Sequence, residues 1–261
     1  MKRSYLFIIV ICIIYSCQQN NGGKKIDKNE IVSLKQDSLI FENDTISIYK
    51  IDSIDFFKTK NQVKINNDTL FYIDNFEEAK EILKGRVVFG GYNSDTNLID
   101  STINDQMIFM INFANKNKIF ANEEEYFWDM AFSRYYPSEE ILLCEGGHSS
   151  DFSFDLKNGI IGPELVGNPK YIRYSPSKKY RLNGWFPGQE CSIYFIQKQT
   201  KSAYKPYTFI PIDLTKEQFD LCTIIDIFWK TDTELFFRNT YFYDGKDKRL
   251  GFFKLKIKRE F

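Results

Sequence analysis

One histidine, His148, stands in the run Cys144-Glu145-Gly146-Gly147-His148-Ser149-Ser150-Asp151, beside the hydroxyls and carboxylate that a hydrolase would use. Catalytic triads are assembled in space from separate segments, and neighbours in one loop seldom reach that geometry. The G-x-S-x-G elbow that presents a nucleophilic serine is absent. The segment is therefore expected to be a plain turn between two strands, the alternative being a loop that contacts a partner. A metal held by this histidine and carboxylates would lack the helical or CxxC spacing that fixes such ligands. Gly90-Gly91 lacks the lysine and helix start of a phosphate loop. Glu123, Glu124 and Glu125 suit the N-terminal dipole of a helix better than a proton-transfer pair. A glycosidase needs two carboxylates held ~5 to 9 Å apart across a sugar, a spacing that no sequence run encodes. No catalytic residue, metal ligand or cofactor is assigned.

Aromatic side chains in polar surroundings are better candidates. Asn183-Gly184-Trp185-Phe186-Pro187-Gly188-Gln189 sets Trp185 and Phe186 in a Gly/Pro-rich stretch, and Tyr204-Lys205-Pro206-Tyr207 follows it. Aromatics presented on loops bury much area against a partner at low entropic cost. Trp185, Phe186, Tyr204, Tyr207 and His148 are thus the candidate partner-binding residues. The competing reading turns Trp185 back onto the core.

Strand patterns dominate the elements that would carry these residues. Aromatics make up 17% of the chain, and with β-branched residues they fit a pleated, half-buried surface. Ser38–Phe41 and Thr45–Tyr49 read as one hairpin, and Gln62–Ile65 with Thr69–Ile73 as another across Asn66-Asn67-Asp68. Asn75 to Lys84 is the clearest helix, with Asn75 and Glu78 as a capping box and Gly85 as its stop. Arg86–Phe89 and Gln106–Ile111 are expected strands, a short helix is expected from Asn122 to Trp128, and Thr215–Gln218 is expected to open a helical turn.

The N-terminus gives an address. Met1-Lys2-Arg3-Ser4 is followed by an apolar run of about ten residues, Tyr5 to Ile14, the layout of a secretory signal. That run falls short of the ~20 residues of a membrane-spanning helix. Ile14-Tyr15-Ser16-Cys17 resembles the lipobox of bacterial lipoproteins. The resemblance implies diacylglycerol on Cys17 and cleavage before it, hence a membrane attachment through lipid. It divides the chain into a signal over 1–16, a polar tether over 17–36, and one mainly-β domain over 37–261 with halves 37–130 and 131–261. The tether carries no acidic cluster at its start, and a periplasm-facing position in the cell envelope is expected over the cell surface. Of the remaining cysteines, Cys144, Cys191 and Cys222, at most one pair can bridge, and Cys144 and Cys222 sit in apolar runs that favour buried thiols. Basic and acidic residues number 35 each, which argues against a nucleic-acid partner.

The second half repeats itself. Tyr135-Tyr136-Pro137-Ser138-Glu139-Glu140-Ile141-Leu142-Leu143 aligns with Tyr174-Ser175-Pro176-Ser177-Lys178-Lys179-Tyr180-Arg181-Leu182, and more weakly with Ile227 to Phe237. Each copy reads as strand, tight turn, strand. A spacing of about 40 residues with several strands per unit is that of propeller blades, and Tyr174–Tyr180 resembles the turn of PD40/WD40-type β-propeller repeats. The resemblance implies a propeller-like antiparallel meander. A mainly-β fold with one to three short helices is the expected class. The function expected is that of a lipid-anchored envelope protein that binds a protein partner without catalysis, such as an immunity or inhibitor protein against a periplasmic toxin. The alternatives are a carboxylate-based hydrolase of cell-wall or other glycans, and a structural or accessory envelope lipoprotein.

Overall fold

The computed structural model describes residues 37–64, 69–123, 130–189, 191–214, 216, 219–243 and 247–258, all within the unit Gln36–Phe261. Residues 1–16 and 17–36, Cys17 among them, lie outside the described residues.

Strands β1 (Ser38–Glu42) and β2 (Ile46–Lys50) form the first expected hairpin. Asn43 closes it, its Oδ1 accepting the backbone N–H of Thr45 at 2.9 Å and of Ile46 at 2.8 Å. Among the described residues the second expected hairpin does not form. Gln62 instead ends helix α1 (Ser53–Gln62), capped by Asp52, whose Oδ1 accepts the Ile54 N–H at 2.6 Å. Thr69 to Tyr72 form no strand, and Ile73 makes only an isolated bridge to Tyr135; the expected turn lies outside the described residues. Tertiary packing decides this helix. Phe56 is fully buried with ring centroids 5.3 Å from both Phe228 and Phe252, and that anchoring outweighs a weakly helical composition.

Helix α2 (Phe76–Ile82) is as expected, with Asn75 Oδ1 accepting the Glu78 N–H at 3.0 Å and Gly85 following at φ +81°. Strands β3 (Val87–Asn93), β4 (Leu98–Asp100), β5 (Met107–Asn112) and β6 (Lys118–Phe120) come next. Where a helix from Asn122 was expected, Ala121–Glu123 make one 3-10 turn, and 124–129 lie outside the described residues. Then come β7 (Ala131–Tyr136), β8 (Ile141–Glu145), β9 (Asp151–Asp155), β10 (Ile160–Ile161) and helix α3 (Pro163–Val166). Strands β11 (Arg173–Tyr174), β12 (Tyr180–Trp185), β13 (Ile193–Gln199) and β14 (Tyr204–Phe209) follow. The short pair β15 (Asp213–Leu214) and β16 (Phe219–Asp220) precedes β17 (Ile224–Thr231), β18 (Glu234–Tyr243) and β19 (Asp247–Ile257). Of the helical turn expected at Thr215–Gln218, only Lys216 is described.

The architecture is mainly β and antiparallel, with three short helices among the described residues and one sheet curled into a half-barrel. The largest sheet runs β10-β9-β8-β7-β5-β3-β4 with β6 beside β5; the second runs β11-β12-β13-β14, and the third β1-β2-β19-β18-β17. All three copies of the sequence repeat are hairpins, β7–β8, β11–β12 and β17–β18, one in each of the three larger sheets. In the third sheet the first hairpin of the described chain completes the last meander, with Ile46 to Lys50 paired to Ile257 to Phe253. Ile46, Ile48, Leu235, Phe237, Phe253 and Leu255 of that sheet share one apolar cluster with Tyr180, Leu182, Tyr194 and Ile196 of the second. Burying each such side chain contributes about 1.5–3 kcal/mol, which is what holds the two sheets face to face.

Candidate functional site

Strand β12 alternates strictly. Tyr180 and Leu182 enter the apolar cluster, while Arg181, Asn183 and Trp185 take the opposite face, with Gln197 and Phe195 across from Arg181 and Asn183. On that face α3 ends against the sheet. A four-residue helix leaves its last carbonyls without internal partners. Leu165 O accepts from Gln197 Nε2 and Val166 O from Asn183 Nδ2, each at 2.8 Å. The chain then turns at Gly167, at φ +76°, where a Cβ would stand 2.5 Å from the Asn183 amide; only glycine fits.

Arg181 anchors the next layer. Its side chain is 5% exposed; Nε donates to Gln197 Oε1 at 2.6 Å, Nη1 donates to Glu139 Oε2 at 2.7 Å, and the guanidinium lies 4.1 Å from the Tyr204 ring. Tyr174 donates its hydroxyl to the other Glu139 oxygen, and Tyr204 donates to Lys178 O at 2.5 Å. Burial pushes both phenols up, so both remain protonated donors at neutral pH. Around the turn, Lys178 lies 5.4 Å from the Tyr174 ring and Lys179 5.4 Å from that of Tyr180. Such cation–aromatic stacks orient charge and ring together. Asp232 ties the turn to β17–β18 by accepting the Ser177 N–H at 2.9 Å and its hydroxyl at 2.6 Å. Burial works to raise the Asp232 carboxyl, but these bonds, a further one with Ser175 and the Lys179 charge together hold it below its ordinary value.

Two clefts flank the turn. One, of about 210 Å³, is lined by Glu139, Glu140, Asp155, Lys157, Arg181 and Tyr204 among others. Its acids are engaged: Glu139 by Arg181, Glu140 by Arg86 at 2.9 Å, and Asp155 by the N–H groups of Lys157 at 3.0 Å and Asn158 at 2.8 Å. The other, of about 440 Å³, runs between Arg173, Tyr174 and Lys178 on one side and Ile227, Phe228 and Trp229 on the other.

The candidates named from sequence divide between the two ends of the second sheet. Tyr204 and Tyr207 stand at the turn end, where Tyr207 packs 5.6 Å from Tyr180. Trp185 is at the far end and is not a loop residue. It closes β12, 6% exposed, with its ring 5.6 Å from Phe195 and 6.1 Å from Phe209, because strand alternation turns it inward. Phe186 follows half-buried, its N–H donating to Asp151 Oδ2 at 2.7 Å while the Asp151 N–H donates to Phe186 O at 2.7 Å. Those bonds bring its loop beside the 3-10 turn Gly147–Ser149 that holds His148. Cys222 is corrected too. It is exposed and bridged to Cys191, with Cα atoms 4.9 Å apart, whereas Cys144 is a buried thiol whose burial pushes it up. Among the described residues no group of three or more His, Cys, Asp or Glu side chains could hold a metal, and no helix is long and apolar enough to cross a membrane.

Sequence reading missed Arg181, Glu139, Asn183 and Gln197. The alternation along Tyr180–Trp185 was a legible signal, but polar residues on alternate strand positions ordinarily mean a solvent face. No protein-family model, curated protein or solved structure matches the chain.

Proposed function

We propose that this chain is a lipid-anchored protein of the cell envelope that binds a protein partner without turnover, in concrete form an immunity or inhibitor protein that neutralises a periplasmic toxin. The observation that carries the binding reading is the array on the turn after β11: Lys178 and Lys179 exposed over Tyr174 and Tyr180, with Tyr204 beside them, on a hairpin fixed by Arg181 and Asp232. Tyrosines are among the side chains enriched at interface hot spots, and lysines held beside them give a fixed positive patch that steers a complementary partner. The compartment is supported by the lipobox-like Ile14–Cys17 and by the Cys191–Cys222 bridge, which persists where the surroundings oxidise.

Two experiments test it. Radiolabelled palmitate should enter the wild-type chain and not Cys17→Ser; equal labelling removes the anchor. Cells lacking the gene should be killed by neighbouring strains that spare the parent, and Lys178→Glu with Lys179→Glu should fail to restore survival. Unchanged survival sinks the immunity reading. The rival hydrolase reading draws on Glu139, Glu140 and Asp155 in one cleft. Release of reducing ends from purified cell wall, abolished by Asp155→Asn, would put that reading in its place.

A further inference from the structure

We propose that the 440 Å³ cleft beside the Ser175–Lys179 turn binds a small amphipathic monoanion, a carboxylate or similar head on an aromatic or hydrocarbon body. The inference goes beyond the protein-partner reading and stands without it. The volume falls in the ~300–1,000 Å³ range of small-molecule sites. The apolar lining is offered by the half-buried Val63, Leu70 and Ile227, backed by the buried Ile172, Phe228 and Trp229. The one polar atom that Trp229 has is already used, since its indole N–H donates to Arg173 O at 2.8 Å. The apolar lining therefore offers a ligand only burial.

The rim has the opposite character. Lys64, Arg173 and Lys178 line the cleft, and no carboxylate does among its described lining residues. Arg173 is held in one orientation, Nη1 donating to Lys170 O at 3.1 Å and to Ile172 O at 2.7 Å. The acids that reach this turn are taken, Glu139 by Arg181 and Tyr174 and Asp232 by Ser177. Cations at the rim and apolar side chains in the lining match an anionic head on an apolar body. A neutral amphiphile would cover the apolar lining and leave the rim unmatched; a cationic one would be repelled.

Calorimetric titration of the full chain carrying Cys17→Ser, with 2-naphthoate and its neutral isostere 2-naphthamide, tests the site. Naphthoate is expected to bind at least about tenfold tighter than the amide, and Lys64→Gln with Lys178→Gln to remove most of that preference. Both lysines are exposed, so an unchanged thermal unfolding midpoint confirms that the variant remains folded. Equal affinity for the two compounds overturns the proposal. So does naphthoate binding that the double variant leaves intact, or the absence of heat for naphthoate at about 1 mM.

Discussion

Arg181 and Glu139 join two hairpins 42 residues apart, Nη1 standing 2.7 Å from Oε2 with 5% and 17% of the two side chains exposed. The pair fastens the β7–β8 turn to β12 and sets the floor against which Tyr174 and Tyr204 lie. Neither hairpin needs the other for its own backbone bonds. The turn of one is tied to the strand of the other by this ion pair together with the Tyr174–Glu139 hydrogen bond.

Removing one member of a buried ion pair leaves an uncompensated charge, at a cost of about 3–5 kcal/mol. Arg181→Met is expected to lower stability by roughly 3 kcal/mol, measured from the urea midpoint at constant slope. Glu139→Gln should cost a comparable amount, because it leaves the more deeply buried guanidinium without its counter-charge. A change below about 0.5 kcal/mol for Arg181→Met would place the pair with exposed surface bridges, which contribute little.

Asp232 gives a pH signature. Burial pushes its folded carboxyl up, but the hydrogen bonds from Ser177 and Ser175 and the Lys179 charge together hold it below its ordinary value of 3.8. A depressed folded value contributes stability that is present above the unfolded value and lost as pH falls through the folded one. Asp232→Asn should therefore be less stable than wild type by a constant amount above about pH 5, and the two curves should converge below pH 3.8. Denaturant midpoints taken from pH 6 down to pH 2.5 measure this, and a gap that widens on acidification would refute the linkage.

Much of the fold was legible because the local rules agreed with it. Asn43 and Asn75 are turn and cap residues whose side chains do what their types predict, and the repeated Tyr-x-Pro-Ser turns are hairpins. The failures share a cause. Val63 and Ile65 alternate like a strand, yet the preceding ten residues are drawn into a helix by Phe56, whose partners Phe228 and Phe252 lie far along the chain. Trp185 was placed by its Gly/Pro neighbours, whereas its register opposite Ile193 set its direction. Cys222 sits beside apolar residues but on an exposed turn, where its partner and not its neighbours decided its chemistry. The site itself was half visible: Tyr204 and Tyr207 stood out by type, while Arg181 looked like a solvent residue until Glu139 was brought to it.

The pairing of β2 with β19 closes the third sheet with residues from opposite ends of the described chain. Such a contact joins residues far apart in sequence, and its loop-closure entropy opposes it until the pairing is made. Ile46 and Ile48 repay it, both fully buried. Ile48→Ala is expected to cost about 2–5 kcal/mol and to raise the unfolding rate more than it lowers the folding rate. Stopped-flow measurement of both limbs decides this. A variant that mainly slows folding would mean that β2 docks before the transition state and not after it.

Cys191 lies just before β13, and Cys222 sits in the 3-10 turn Leu221–Thr223 that leads into β17. The bridge spans a separation of 31 residues and encloses β13 to β16, including Gln197 and Tyr204. A loop of that length restricts the unfolded chain by about 3–4 kcal/mol. Cys222→Ser should lower the urea midpoint accordingly, and dithiothreitol should lower the wild-type midpoint by the same amount. The reductant should leave Cys222→Ser where it was. Because Gln197 and Tyr204 both contact Arg181, reduction should also loosen the array on the 175–179 turn, read as faster amide exchange at Lys178 and Lys179. If dithiothreitol shifts wild type and Cys222→Ser equally, the stabilisation lies elsewhere. If exchange at Lys178 is unaffected while the midpoint falls, the bridge holds the loop without holding the turn.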